Sequence, residues 1–342
     1  MSAAKVELGR RLFYDTRLSG NGAFSCASCH RQEFAFADAR NVPVGSTGEA
    51  HSRNSMALAN VGYFHSLGWA DPLTPRLEAQ ALIPMFGDVP VELGLKGREA
   101  DLIARLRAEP VYQGLFPKTF PEVTDPYTVP NVTKALAAFQ RTFLSLNAPY
   151  DRYRRGEVTA ISASARRGEL LFFSRRMGCV QCHSGALFTL AGGGPPLTAP
   201  AGILPPPPAA APGQAFFNTG LYNLDGGGSY PLRNRGLFEI TGLAEDMGRM
   251  KVPSLRNVSL SFPYMHDGSV GTLEDVVDHY ARGGRLIGTG PNAGDGSLNP
   301  FRSARIQPFP VTATEKADLV AFLRTLTDSS FVTSRRLANP WR

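Results

Sequence analysis

The sequence of 342 residues lacks any long run of apolar side chains and any block of lysine or arginine. A membrane-spanning helix needs about 20 consecutive apolar residues, so no such span is expected. The net charge is +7, but the basic residues are scattered, which argues against a nucleic-acid partner. Strand-like alternation of apolar and polar residues is also scarce, and this favours a mainly helical fold.

Cysteine is rare as well, and its placement is informative. All four cysteines lie in two short units, "SCASCHR" at 25–31 and "GCVQCHSG" at 178–185. A Cys-x-x-Cys-His unit attaches a c-type haem through two thioethers, and its histidine ligates the iron. Zinc sites and redox dithiols do not need a histidine in this register, and a pair of disulfides is the remaining alternative. The sequence therefore predicts two covalent haem c groups, held by Cys26, Cys29, His30, Cys179, Cys182 and His183.

The haem units also indicate a compartment. Haem c is attached outside the cytoplasm in bacteria, and the chain opens with "MSAAKVELGRRLFYD", which has no apolar signal segment. We therefore expect the mature form of a periplasmic protein.

Similar segments precede the two haem units. Each contains a glycine followed three and four residues later by Leu-Phe. The two sets are Gly9, Leu12, Phe13 and Gly168, Leu171, Phe172. This repetition predicts an internal duplication, with two cytochrome c-like haem domains, mainly helical with long loops, over residues 1–155 and 156–342.

Three segments carry clear helix signals. Residues 131–146 form an amphipathic pattern. Residues 272–284 start with Thr272 as a cap and stop at Gly283, and residues 312–326 start with a Thr312–Glu315 capping box. By contrast, the proline-rich stretch 191–214 predicts a long loop.

Several longer motifs, in this order, resemble the bacterial dihaem cytochrome c peroxidases and the related protein-modifying enzyme MauG. The likeness covers nearly the whole chain. Its motifs are "LGRRLFYDTRLSGNGAFSCASCH", "RNSMALANV", "LEAQALIPM", "VPSLRNVSLSFPYMHDGS" and "TLEDVVDHYARGG". The stretch "GWADPLTPRLEAQALIPMFGDVPVELGL" resembles more closely a MauG-like branch that includes MbnH, a dihaem enzyme that oxidises tryptophan in a partner protein.

The resemblance implies a haem-dependent oxidoreductase with a peroxidatic N-terminal haem and an electron-transfer C-terminal haem. Hydrogen peroxide would form a high-valent, bis-Fe(IV)-like state that oxidises an aromatic residue, with tryptophan favoured, on a periplasmic protein. The alternative is a cytochrome c peroxidase that takes electrons from a small cytochrome c or cupredoxin. A plain dihaem electron carrier is the non-enzymatic alternative, and it would favour six ligands on both irons.

Peroxide needs an open sixth position on the first iron. In family members that require reductive activation, a loop histidine caps that iron, and the corresponding position here is about Ser46. The nearest histidine is His51, which we interpret as a surface-loop residue. The first haem is then expected to be five-coordinate, as in MauG.

The resemblance also implies residues for the peroxide pocket. Cleavage of bound peroxide needs a group that moves a proton from the inner to the outer oxygen. The family position corresponds to Glu92, with Gln80 and Pro84 lining the pocket. A short insertion before Glu92 leaves Asp88 as a rival.

One of the two tryptophans, Trp69, lies where the family places an indole that relays electrons or holes between the haems. The other is Trp341, at the C-terminal end. One departure from MauG is Met177, which replaces the surface tryptophan that MauG uses as an exit for holes, so the exit route is expected to differ.

The resemblance further implies a calcium ion between the domains, held by Asn54 and by backbone carbonyls of the turn Ser261-Phe262-Pro263. Calcium accepts uncharged oxygen ligands and completes its shell with water. The histidines His65 and His266 are interpreted as satisfied structural residues, and the alternative is that either reaches a haem propionate.

The family places the sixth ligand of the second haem on the segment "TLEDVVDHYARGG", and here we expect it to be Tyr280. Its helical neighbours form one apolar face, namely Leu273, Val276 and Val277. His279 shares its side with Asp275 and Arg282, which predicts a solvated residue. Ordinary peroxidases carry Met at the position of Tyr280, and the rival ligands in this sequence are Met250 and Met265.

Overall fold

The computed structural model describes residues 1–192 and 214–341. In these two ranges the chain is mainly helical. The α-helices are α1 (Ala3–Phe13), α2 (Leu77–Gln80), α3 (Leu82–Phe86), α4 (Glu99–Ala108), α5 (Pro110–Thr119), α6 (Val129–Gln140), α7 (Pro149–Arg154), α8 (Ala163–Phe172), α9 (Phe238–Thr241), α10 (Leu273–Arg282), α11 (Ala313–Arg324) and α12 (Ser329–Val332).

The strands are short and form two antiparallel pairs. β1 (Phe216–Phe217) pairs with β2 (Met250–Lys251), and β3 (Leu286–Ile287) pairs with β4 (Gly294–Asp295). No helix in the described ranges is both long and apolar enough to cross a bilayer. The proline-rich segment predicted as a loop lies almost wholly outside the described residues.

Each half of the chain contains a pair of helices that cross at a glycine. Helix α1 packs against α6, and a Cβ atom on Gly9 would overlap the Ala135 carbonyl and lie 2.9 Å from Phe139 Cβ. Helix α8 packs against α11 in the same way. There, a Cβ on Gly168 would overlap the Asp318 carbonyl and lie 2.8 Å from Phe322 Cβ.

Aromatic side chains fill the cores beside these crossings. Near α1 and α6, the Phe36 ring stacks on Phe143 at 4.1 Å, and Phe13 meets Phe139 edge-on at 5.5 Å between centroids. Near α8 and α11, Phe172 lies 5.2 Å from Phe322. Such pairs contribute beyond their burial because the ring edge and face carry opposite partial charges.

The C-terminal segment joins the first of these cores. Phe331 and Leu337 are buried in the cluster that contains Phe13 and Phe139. Trp341 donates its indole N–H to the Arg11 carbonyl at 3.0 Å. The division of the chain at 155 and 156 remains a prediction.

Two of the predicted helix starts are confirmed by their caps. The Thr272 hydroxyl accepts a hydrogen bond from the Asp275 backbone at 3.1 Å, and Gly283 ends α10 with a φ of 77°. Thr312 and Glu315 form the capping box of α11. Local side-chain geometry determines these boundaries, which is why they are visible in sequence.

The prediction for residues 131–146 was wrong at its C-terminal end. Helix α6 ends at Gln140, because Thr142 donates its hydroxyl to the Phe139 carbonyl at 2.6 Å and the chain turns away. The Phe143 carbonyl then accepts the Asn60 backbone N–H at 2.7 Å. A long-range contact therefore ends the helix, and the local sequence carries no sign of it.

Candidate haem sites

The two Cys-x-x-Cys-His units have nearly the same local backbone. Each begins with a single 3-10 turn, Cys26–Ser28 or Cys179–Gln181. In both units the second cysteine N–H lies 3.3 Å from the carbonyl of the first. The two units therefore present their thiols and their histidine in matching arrangements.

Both proximal histidines are held in one tautomer. Nδ1 of His30 lies 2.7 Å from the Phe36 carbonyl, and Nδ1 of His183 lies 3.2 Å from the Phe188 carbonyl. A carbonyl can only accept, so each Nδ1 carries the proton and each Nε2 keeps a lone pair for iron. Burial lowers the pKa of His30 and brings that of His183 to about 4, which keeps both rings neutral.

The alternatives to haem attachment find no support in the geometry. None of the four cysteines forms a disulfide. Within the described ranges, no group of three or more His, Cys, Asp or Glu side chains could hold a metal such as zinc. Burial raises the pKa of Cys26 and Cys179 to about 12, so neither is the low-pKa thiolate of a redox dithiol.

A cavity of about 680 Å³ lies beside the first unit. Both the first haem unit and the residues predicted for the peroxide pocket line this cavity. Among its lining residues are Cys26, Cys29, His30, His51, Trp69, Gln80, Pro84, Asp88 and Glu92. Its volume is typical of a cavity that holds a cofactor.

Glu92 and Asp88 occupy very different environments in this cavity. Burial raises the pKa of the Glu92 carboxyl to about 7. Asp88 has 57% of its side chain exposed and pairs with Lys96, which lowers the pKa of Asp88. A carboxyl that exchanges a proton near neutral pH is suited to acid–base chemistry, and Glu92 alone of the two has this property.

The interpretation of His51 as a surface-loop residue was wrong. Its side chain is only 17% exposed, and its Nε2 lies 3.7 Å from Oε1 of Glu92. The backbone explains this position, because Val44 and Ala50 form an antiparallel bridge and the His51 N–H donates to the Pro43 carbonyl at 2.9 Å. Burial lowers the pKa of His51. Its proximity in sequence to the "RN" motif was the one signal that could have placed it at the pocket.

Trp69 lines the first cavity and also a second one beside the other haem unit. Its indole N–H donates to the Asn54 carbonyl at 2.8 Å, and its ring lies 6.5 Å from that of His266. Its own carbonyl accepts the Lys251 N–H at 2.7 Å. The indole is therefore fixed between the two cavities.

The Asn54 side chain is surrounded by backbone oxygens. Its amide nitrogen lies 2.9 Å from the Arg40 carbonyl, 3.3 Å from Asn41 and 3.4 Å from Pro263. The two ends of an amide are assigned from their neighbours, so the reverse orientation adds a fourth oxygen to this set. Such oxygens fit the predicted calcium ion, and the sequence could not have indicated the carbonyls of Arg40 and Asn41, because backbone atoms leave no trace in sequence.

The described contacts of Ser261 do not extend to Asn54. The Ser261 hydroxyl donates to the Val258 carbonyl at 3.4 Å, in the turn that leads to Pro263. Its predicted role as a carbonyl ligand stays a prediction.

The second cavity, of about 200 Å³, is lined by the second haem unit, by the predicted iron ligand Tyr280 and by its two rivals, Met250 and Met265. Among its lining residues are Cys179, Cys182, His183, Met177, Met250, Met265 and Tyr280. The apolar face of α10 points into it through Leu273, Val276 and Val277. Tyr280 therefore faces the second haem unit, and burial raises the pKa of its phenol.

The prediction that His279 is solvated was wrong. Its exposure is 5%, and burial lowers the pKa of its ring to about 4. The segments that contain Thr219 and Arg285 cover this flank of α10, and the Arg285 N–H donates to the Gly220 carbonyl at 2.8 Å. The helical pattern shows which residues share a face, but not that another segment covers the polar flank.

The histidines predicted to be satisfied are not. Both ring nitrogens of His65 and Nε2 of His266 are buried, and they lack a hydrogen-bond partner among the described residues. Burial lowers the pKa of both rings. His266 lines the second cavity, so its orphaned ring nitrogen is consistent with a partner supplied by a bound group.

The matching geometry of the two units fits the predicted attachment of two c-type haems. Residues 3–159 match the family described as di-haem cytochrome c peroxidase. The cytochrome-c peroxidase IdrP1 of Denitromonas iodatirespirans is 34% identical over 95% of this chain and 82% of its own length. The methylamine utilization protein MauG of Methylorubrum extorquens is also 34% identical, over 95% of this chain and 79% of its own.

The chain therefore belongs to the di-haem cytochrome c peroxidase and MauG family, and it is a haem-dependent oxidoreductase. This family implies two haem c groups. A crystal structure of a MauG-like protein associated with microbial copper homeostasis is 45% identical, with a TM-score of 0.92 over 100% of this chain and 94% of that one. The diheme peroxidase BthA of Burkholderia thailandensis, 23% identical with a TM-score of 0.70 over 99% of this chain and 90% of its own, shares the fold.

Proposed function

We propose that this protein is a periplasmic enzyme that uses hydrogen peroxide to oxidise an aromatic residue, tryptophan in the first instance, on a partner protein. The observation that carries this proposal is the first cavity, which is lined by the half-buried Glu92, by His30 and by His51, while the loop position about Ser46 carries no histidine. The 45% identity with a MauG-like protein associated with microbial copper homeostasis also supports a function of the MauG type.

The haems, when bound, would supply the reduction of peroxide and the storage of its two oxidising equivalents. Cys26, Cys29 and His30 would hold the first, and the second unit would hold the other. The contribution of the protein is to fix the proximal histidines as neutral donors, to exclude bulk water and to move a proton.

Glu92 is proposed as the group that moves the proton. Its ionised carboxylate would take a proton from one oxygen of peroxide and give it to the other, so that this oxygen could leave as water once the bound haem had supplied two electrons. Gln80 and Pro84 lie on the same cavity wall and limit where peroxide can sit. His51, at 3.7 Å from Glu92, is close enough to exchange a proton with it through one water molecule.

In relatives that need reductive activation, a histidine on the loop around Ser46 occupies the sixth position of the first iron. In this protein, that loop is hydrogen-bonded to the segment that contains Glu92. The Ser46 N–H donates to the Glu92 carbonyl at 2.7 Å, and Asn21 donates its side-chain amide to the Ser46 carbonyl at 2.6 Å. A Cβ on Gly45 would overlap the Val91 carbonyl, so only glycine permits this contact. These contacts support an iron that is open in the resting ferric protein.

Trp69 and Tyr280 are proposed to serve the second haem. Trp69 lines both cavities and is oriented by Asn54, which suits it to relay electrons or holes between the two irons. Tyr280 is proposed as the sixth ligand of the second iron. A phenolate is a hard anionic donor that favours the higher oxidation states of iron.

We also propose that the two halves arose by duplication and meet at a calcium ion. The matching glycine crossings of α1 with α6 and of α8 with α11 support the duplication and the division near residue 155. The oxygens around Asn54 support the calcium, with Pro263 from the second half and Ser261 as a further carbonyl ligand.

A cytochrome c peroxidase remains the second candidate function. Met250 and Met265 line the same cavity as Tyr280, and thioether ligation would raise the reduction potential of the second haem and suit it to accept electrons. IdrP1, a relative at 34% identity, is named a cytochrome-c peroxidase.

One experiment separates the two functions. Ferric protein is mixed with peroxide and periplasmic candidate proteins, and tryptic peptides are analysed for added oxygen by mass spectrometry. We expect oxygen on a tryptophan of one partner, and none when catalase is present. Rapid peroxide-dependent oxidation of a small cytochrome c or cupredoxin, with no modified peptide, would favour the peroxidase instead.

A further inference from the structure

Lys251 is a buried cation that has no anionic partner. It is 4% exposed and makes no ion pair within the described residues. Its ammonium donates to the Ser66 carbonyl at 3.2 Å and lies 5.4 Å from the centre of the Phe64 ring. Burial lowers the pKa of this lysine to about 8. A charge in such a place is normally paired, because desolvation of a lone ion is costly.

Two further polar groups beside Lys251 also lack partners. The Ser66 hydroxyl is fully buried and makes no hydrogen bond with the described residues. The ring nitrogens of His65 are also buried and make no well-formed hydrogen bond there, although the Leu190 backbone lies close to the ring. The charge of Lys251 lowers the pKa of His65, so the two side chains are near each other. We call Lys251, His65 and Ser66 the Lys251 cluster.

The cluster lies where β2 meets residues 64–66, and of its three members Lys251 lines the cavity beside the second haem unit. Lys251 is in β2 and lines the cavity that contains His183. His65 and Ser66 come from the first half, where the His65 N–H donates to the Ala191 carbonyl at 3.1 Å. Backbone contacts fix both segments, so the unpaired donors are held in place.

We propose that the Lys251 cluster is a carboxylate-binding site that holds one propionate of the second haem. A carboxylate has two oxygens and about four lone-pair sites, whereas the cluster offers an ammonium, an imidazole N–H and a hydroxyl as donors. The oxygens of the propionate and the donors of the Lys251 cluster then have hydrogen-bond partners, and the hydrogen bond from Lys251 is strengthened by the opposite charges. The proposal rests on the presence of the second haem, and it holds whichever substrate the enzyme oxidises.

The site has a measurable consequence for the second haem. A cation fixed at a propionate favours the ferrous form, because that form carries one positive charge fewer. Removal of the cation leaves the propionate charge unopposed and stabilises the ferric form. The reduction potential of the second haem should therefore fall, while that of the first haem changes less because Lys251 does not line the first cavity.

The test is a spectroelectrochemical titration of the dihaem protein. Lys251→Met should lower the midpoint potential of the second haem, and Lys251→Arg, which keeps the charge, should remain near the wild type. The matched control is Lys118→Met, which removes one exposed lysine from α5. An unchanged potential of the second haem, or a shift confined to the first haem, would overturn the proposal.

A second readout guards against loss of folding in Lys251→Met. Ser66→Ala removes one donor and no charge, so it should shift the propionate bending band of the second haem in the resonance Raman spectrum. The Lys251→Arg protein should shift the same band because its donors differ in geometry. If both proteins retain two haems and the wild-type band, the carboxylate is held elsewhere and the proposal fails.

Discussion

Glu92 and His51 line the same cavity as the first haem unit. The two side chains approach to 3.7 Å, which is too long for a direct hydrogen bond and short enough for one bridging molecule. Burial has opposite effects on them, raising the pKa of the carboxyl and lowering that of the imidazole. Both shifts favour the neutral forms of the two side chains, so Glu92 is the member of the pair that changes its charge near pH 7.

The first prediction concerns the proton transfer by Glu92. Glu92→Gln should slow the reaction of ferric protein with peroxide by about 10²–10⁴, the usual contribution of general acid–base catalysis, and leave both haems attached. The base is the ionised form, and its pKa is raised to about 7, so the wild-type rate should rise as the pH increases through 7. Stopped-flow absorbance against pH measures both effects.

Asp88→Asn is the control for this prediction. Asp88 is exposed and paired with Lys96, so its loss should leave the rate and the pH profile unchanged. If Asp88→Asn slows the reaction and Glu92→Gln does not, the assignment of the acid–base residue across the insertion is wrong.

The second prediction concerns the ligand of the second iron. Tyr280→Met should raise the reduction potential of the second haem, because a thioether favours ferrous iron more than a phenolate does. Spectroelectrochemical titration and near-infrared spectra of the ferric protein would report the change. If the wild type already shows the spectrum of methionine ligation, and Tyr280→Met leaves it unaltered, Met250 or Met265 is the ligand.

At the scale of helices and loops, the features that sequence could predict are those that local geometry determines. The haem units, the caps of α10 and α11 and the inward face of Tyr280 all depend on residues within a few positions of one another. The end of α6 depends on Asn60, and the burial of His279 depends on the segment at Thr219, which are distant in the chain. Likewise, the carbonyls around Asn54 are backbone atoms, so no residue type identifies them.

The third prediction tests the two glycine crossings. Gly9→Ala and Gly168→Ala should each lower the free energy of unfolding by about 1–3 kcal/mol, since the added methyl group must displace a helix backbone. Gly114→Ala on α5 is the matched control, because nothing lies within 4 Å of its added Cβ. That change should stabilise by about 0.5–1 kcal/mol through helix propensity.

Urea unfolding monitored by far-ultraviolet circular dichroism would give the three free energies. Equal effects at Gly9 and Gly168 are expected from their matching contacts. If Gly9→Ala is as stable as Gly114→Ala, the close packing of α1 on α6 is contradicted. The same result for Gly168→Ala would contradict the close packing of α8 on α11.

At the scale of the whole molecule, the two halves meet at residues that serve both haem sites. Trp69 lines both cavities, Asn54 orients its indole, and Lys251 connects the second cavity to the segment 64–66. Under the proposed function, oxidising equivalents formed in the first half would reach the second half through Trp69. The proposed function requires that peroxide reach the first iron in the ferric protein, without a rearrangement of the loop that carries Ser46.

Rapid-freeze electron paramagnetic resonance of the ferric protein, before and after peroxide, is the most direct test of that condition. We expect a high-spin signal from the first haem beside a low-spin signal from the second, and loss of both within the first turnover without added reductant. A resting spectrum with low-spin species alone, and no reaction until one electron is supplied, would contradict the account and make His51 the ligand that closes the first iron.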